Sequence, residues 1–152
     1  MKTTLRHILF TLVIGAVACG CVDKFDRYSG DFRNIDPEGW AYMSPLDFSP
    51  AKVDSIGTGA LLFSVRHSNL YPYSNLYIEV DIDNNRDTFN IILADKFGRW
   101  HGRGIGTSFQ LADTLYRSIS LTKDSKVGLR HIMRVDTLPE IEQIGLSFIV
   151  DK

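Results

Sequence analysis

Hydrophobic and polar residues alternate with a period of two along most of this chain. Leu76, Ile78, Val80 and Ile82 alternate with Tyr77, Glu79, Asp81 and Asp83, the pattern of a strand with one buried and one wet face. The same period recurs at Leu61, Phe63 and Val65; at Phe89, Ile91 and Leu93; at Ile119 and Leu121; at Val127, Leu129 and Met133; and at Ile144, Leu146, Phe148 and Val150. Reversals are expected at Asp83-Asn84-Asn85, at Asp95-Lys96-Phe97-Gly98 and at Thr122-Lys123-Asp124-Ser125, where Asp, Asn, Gly and Ser supply turn chemistry. The one helical element expected is a single turn over residues 138–143, beginning near Pro139. About seven or eight short strands at this spacing predict an all-β fold, a single antiparallel β-sandwich of jelly-roll or Ig-like type.

The N-terminus breaks the period. Lys2 and Arg6 precede an apolar run over residues 8–18, and small residues lead into Cys19 and again into Cys21. This is the layout of a lipoprotein signal peptide, and the run is shorter than the roughly twenty apolar residues that a membrane-spanning helix needs. Cleavage is therefore expected, leaving a cysteine whose thiolate takes a diacylglycerol and whose amine takes a further acyl chain such as palmitate. Ala16-Val17-Ala18 before Cys19 and Ala18-Cys19-Gly20 before Cys21 both suit the peptidase. Cys19 is the slightly favoured lipidation site and Cys21 the alternative. Two or more acyl chains hold a protein on a membrane where one binds only marginally, each buried methylene contributing about 0.8 kcal/mol. The expected organisation is a signal peptide over 1–18 (or 1–20), a lipidated N-terminus and tether over 19–39, and a β-sandwich domain over 40–152. With only two scattered acids in Val22-Asp23-Lys24-Phe25-Asp26, the expected location is the outer membrane, lipid-anchored and facing the periplasm.

Composition narrows the function by exclusion. The leader removes two of the 17 Lys and Arg residues and none of the 18 acidic ones, so the mature part carries about −3. Its basic residues are scattered, which argues against nucleic acid as a partner. No cysteine beyond Cys19 and Cys21 exists to build a disulfide framework or a thiolate metal site.

Candidate chemistry is sparse. Gly102, Gly104 and Gly106 alternate like a phosphate loop but lead into Thr107-Ser108-Phe109-Gln110 with no helical pattern. A bulged strand or irregular crossing with close backbone approach is the expected reading. His67, His101 and His131 do not lie at metal-ligand spacing, His7 leaves with the leader, and no G-x-S-x-G elbow occurs. Glu79, Asp81 and Asp83 share the exposed face of one strand and are expected to be solvated, not catalytic. The stretch Arg66 to Asn75 joins two clear strands, and loops at the end of a sandwich often carry recognition residues. Tyr71, Pro72, Tyr73, Asn75 and Trp100 are therefore the candidate partner or structural loop residues. With Trp40 and Tyr77, the tyrosines and Trp100 could alternatively stack on a glycan, against the simpler reading of core packing. A small hydrolase using His67 or His101 ranks last. No catalytic residue, metal or cofactor is expected.

Particular stretches carry a family likeness. Trp40 with Pro45 and Phe48, Val65-Arg66-His67 leading to Tyr71-Pro72-Tyr73-Ser74-Asn75-Leu76, the run from Asp95 to Gly106, Met133-Arg134, Leu138-Pro139 and Ile144-Gly145-Leu146 together resemble the GldH-type gliding motility lipoproteins of Bacteroidetes. The likeness extends over nearly the whole mature chain. It implies a membrane-anchored, non-enzymatic accessory component with protein partners in the gliding machinery or its associated secretion system, and it brings no catalytic residues with it.

Overall fold

In the computed structural model, which describes residues 28–49 and 57–151, the alternating segments are strands of antiparallel sheets. In chain order they are β1 (Tyr28–Asn34), β2 (Trp40–Ala41), β3 (Leu46–Phe48), β4 (Gly57–Ser68), β5 (Asn75–Ile82), β6 (Asn85–Ile92), β7 (Arg103–Ile105), β8 (Ser108–Leu121), β9 (Val127–His131), β10 (Thr137–Leu138) and β11 (Ile141–Val150). A five-stranded sheet runs β1-β11-β4-β8-β7, a four-stranded sheet runs β3-β9-β5-β6, and β10 pairs with β2. The fold is all-β, with the antiparallel sheets packed as a sandwich. Among the described residues no helix is long and apolar enough to cross a membrane. The leader, Cys19 and Cys21 lie outside the described residues.

The period-two pattern becomes the core directly. Phe63 and Val65 of β4 and Ile144, Leu146 and Phe148 of β11 cluster with Leu76, Ile78 and Val80 of β5 and Val127 and Leu129 of β9. Each side chain of this size contributes about 1.5–3 kcal/mol when fully buried. Asp83 and Asn84 close the β5–β6 hairpin with φ of 52° and 69°, the left-handed pair that a two-residue turn of matching twist requires. The reversal at Asp95 is also present, with the Gly98 and Arg99 amides bonding to Asp95 and the Asp95 amide donating to the Arg99 carbonyl. At the third reversal the Ser125 amide donates to the Thr122 carbonyl.

Two local expectations fail. Residues 138–143 form no helical turn: Leu138 is fully buried and paired with Trp40, and Ile141 starts β11. Between them Glu140 takes a φ of 64° and its carbonyl accepts the Ser68 amide, so tertiary pairing overrides local helical preference. Met133 does not continue the β9 face, because the strand ends at His131. Its sulfur instead accepts the Tyr77 amide at 3.3 Å. Residues 28–39, assigned to the tether by the sequence, include β1, which pairs with β11 from Tyr28↔Ile149 to Asn34↔Gln143.

Candidate functional site

The loop from Asn69 to Ser74 is built around a buried histidine. His67 is the last inward side chain of β4, in phase with Leu61, Phe63 and Val65, and it is completely shielded from solvent. Trp100 meets it edge-on at 4.6 Å between ring centroids, Tyr71 lies at 5.5 Å and Phe109 stacks at 6.0 Å. Tyr73 packs edge-on against Tyr71 at 5.6 Å. The Tyr71 hydroxyl donates to the Asn75 carbonyl at 3.0 Å, tying both ends of the loop, and Asn75 donates through its amide to Asn90 Oδ1 at 2.6 Å. Pro72 is exposed, whereas Tyr73 and Trp100 are half-buried.

The glycine run serves this corner. A Cβ on Gly102, whose φ is +83°, would lie 2.2 Å from the Gln110 carbonyl oxygen, so β7 can approach β8 only without a side chain there. That approach brings the segment ending at Trp100 against Phe109, with 6.1 Å between ring centroids.

The aromatic residues do not form one surface. Tyr71 is 4% exposed, and Trp40 is buried in a different place, its indole N–H donating to the Ser44 carbonyl and its ring 5.3 Å from His131. Tyr77 is exposed on β5. No flat platform of the kind a pyranose needs is assembled from these five, because two of them are core.

A second feature lies on the outer face of the four-stranded sheet. A cleft of about 480 Å³ is lined by Asp47, Glu79, Asp81, Asp83, Arg86 and Arg130, among others. Arg86 Nε sits 2.9 Å from Asp81 Oδ2 and 4.0 Å from Glu79 Oε1, and Arg130 Nη2 is 2.6 Å from Glu79 Oε1. The Arg130 guanidinium also lies over the Tyr42 ring at 5.1 Å. Hydrogen bonding and charge from Asp81 hold Arg86 still more firmly protonated than usual. Glu79 and Asp81 are thus compensated by arginines from the two neighbouring strands, β6 and β9. Among the described residues no group of three His, Cys, Asp or Glu could hold a metal ion.

His67 and His131 are the residues the sequence reading undervalued. Burial lowers both imidazoles from the ordinary histidine range. A bond to the Ser68 carbonyl and the charge of Glu142 partly offset this for His67, and the Trp40 backbone does so for His131. His67 Nε2 and both ring nitrogens of His131 lack a well-aligned protein partner. A signal was present, since each follows its strand's apolar alternation by two positions, after Val65 and after Leu129. Sealed in aromatic packing, His67 cannot reach a substrate as a general base. His101 is exposed, with Nδ1 3.3 Å from the Ile92 carbonyl oxygen.

Solved structures resemble the chain only distantly. PRD1 vertex protein P5 is 8% identical, with a TM-score of 0.42, over 82% of this chain and 97% of that one. CBM35 from Cellvibrio japonicus Abf62 is 12% identical, with a TM-score of 0.37, over 82% and 89%. Dimeric latent PorU from Porphyromonas gingivalis is 9% identical, with a TM-score of 0.33, over 82% of this chain and 13% of that one. No curated protein sequence matches the chain. The family model for GldH lipoprotein matches residues 27–148, from the edge of β1 almost to the end of β11, and the chain belongs to the GldH lipoprotein family.

Proposed function

We propose that the protein is a non-enzymatic structural or interaction component of the gliding machinery or its associated secretion system, held on the periplasmic face of the outer membrane by a lipidated Cys19, or alternatively Cys21. Family membership over residues 27–148 carries this reading. The direction of β1 supports it. Tyr28 pairs with Ile149, whereas the His67 corner pairs with Ile141 at the opposite end of β11, about 25 Å away at the rise of a strand. A tether reaching Tyr28 from the membrane leaves the corner loops on the far side, where Leu70, Phe97 and Ile105 are exposed at 71%, 72% and 64%. Exposed apolar side chains at loop ends suit protein contacts.

The glycan-binding alternative draws no support from the aromatic residues, because Tyr71 and Trp40 are buried. The test is to replace Cys19 and Cys21 together with Ala in the native cell and follow both fractionation and colony spreading. Release into soluble fractions with loss of spreading is expected. Membrane retention, or full spreading by the released protein, would overturn the proposal.

A further inference from the structure

The four-stranded sheet ends in β6, an edge of eight residues whose pairing with β5 runs without a register shift. The hydrogen-bond phase of that edge follows from bonds at its margins. Leu93 donates to the Ser74 carbonyl, and Ile132 donates to the Tyr77 carbonyl. Even-numbered residues of β5 therefore bond toward β6 and odd-numbered ones toward β9. Asp87, Phe89 and Ile91 consequently exchange bonds with β5, while the amides and carbonyls of Arg86, Thr88 and Asn90 point away from the sheet. The side chains of these three are exposed as well.

Other edges are guarded. β3 is three residues long and follows Pro45, and β7 is three residues long. β8 carries two irregularities where it pairs with β4, and Arg33 of β1 reaches across to the Asp47 carbonyl of β3. Short length, proline, bulges and charged side chains are the usual protections of a sheet edge. β6 is long, free of proline and unbulged, and its two charges are engaged within its own chain, Arg86 by Asp81 and Glu79 and Asp87 by the Tyr116 hydroxyl.

We infer that β6 pairs antiparallel with β6 of a second copy, about a two-fold axis at Thr88. In that register Arg86 lies beside Asn90 of the second copy and Thr88 beside its own twin, each pair exchanging two backbone bonds. On the other face Asp87 lies beside Phe89 of the second copy. No like charges lie directly opposite: Asp87 and its twin are only diagonal neighbours, each held by the Tyr116 hydroxyl of its own chain, and the charge of Arg86 is already matched within its own chain by Asp81 and Glu79. Threonine pairs across strands are favourable, and an isologous contact of this kind closes as a dimer. One strand pair buries less than the roughly 1,200–2,000 Å² of a free-standing complex. Confinement to a membrane raises the effective concentration enough for a weak contact to form, so the inference rests on the lipid tether proposed above.

The test uses the full-length chain in its native cell, with p-benzoylphenylalanine at position Asn90 for photo-crosslinking. A product of twice the chain's mass is expected. Thr88→Lys alone and Thr88→Glu alone, at an exposed position, should each reduce it at least tenfold by placing like charges face to face, and co-expressing the two should restore it. Absence of the doubled product, capture of a different protein, or single variants that crosslink as well as the parent would overturn the inference. Fractionation of the same cells reports on the tether separately: a membrane-bound protein without the doubled product removes the pairing and leaves the tether intact.

Discussion

The hydroxyl of Tyr71 donates to the carbonyl oxygen of Asn75 across 3.0 Å, closing the loop that carries Pro72 and Tyr73. Burial raises the phenol well above its ordinary value, with the neighbouring Tyr73 adding to the effect, so the group stays a donor at any physiological pH. Tyr71→Phe should cost about 1 kcal/mol, since it removes the donor and keeps the ring. Tyr71→Ala should cost about 3–5 kcal/mol. Urea unfolding of the two variants separates packing from bonding; equal midpoints would show that the hydroxyl contributes nothing.

The two buried histidines set an acid limit. Their folded-state affinity for protons lies below the unfolded value near 6.5, so the unfolded chain binds more protons as pH falls through that value. Stability should be full above about pH 6.5 and decline toward pH 5. Carboxylates add their own loss at lower pH, so the informative comparison is between the parent and His131→Phe. The variant should show a shallower fall in urea midpoint between pH 7.5 and 5.5, and parallel curves would contradict the assignment.

The ionic cleft should respond unequally to its two arginines. Arg130 is largely covered, pairs with Glu79 at 2.6 Å and packs on Tyr42, whereas Arg86 is mostly in solvent. Arg130→Ala should cost about 1–3 kcal/mol, because it leaves part-buried Glu79 with a weaker partner. Arg86→Ala should leave the unfolding midpoint nearly unchanged, as exposed pairs contribute little. A larger effect at Arg86 would reverse this picture.

Two glycines of the corner make a paired test. Gly98 and Gly102 both have positive φ, but a Cβ on Gly98 meets nothing within 4 Å, whereas one on Gly102 strikes the Gln110 backbone. Gly98→Ala should cost about 1–2 kcal/mol from conformation alone. Gly102→Ala should cost more, because the backbone it meets cannot yield like a side chain. Equal losses in thermal unfolding would show that the approach of β7 to β8 is dispensable.

What was legible in the sequence was whatever period two encodes. The Leu76 to Ile82 alternation and the Asp83-Asn84 turn led directly to the β5–β6 hairpin. β1 was not legible, because Tyr28 to Asn34 carries no apolar alternation and is held by backbone pairing to β11, against which Phe32 lies over Gly145. The helical turn expected after Leu138 failed because the partners of Leu138 and Glu140 are Trp40 and Ser68, distant in sequence. Glu79, Asp81 and Asp83 were legible as one outward-facing row, but Glu79 and Asp81 are half-buried there, and their pairing with Arg86 and Arg130 depends on a cross-strand register that no spacing within one strand reveals. The loop from Tyr71 to Asn75 was singled out from its residues, yet only the ring contacts with His67 and Trp100 give it the character of a packed corner.

The claim that matters most is that this sandwich hangs from a membrane by an acylated cysteine. Mass spectrometry of the N-terminal peptide of protein purified from the native envelope tests it most directly. A mature chain beginning at Cys19, or at Cys21, and carrying a diacylglycerol with an amide-linked acyl chain is the predicted result. A chain that retains Met1, or one that begins at an unmodified residue, would contradict the account.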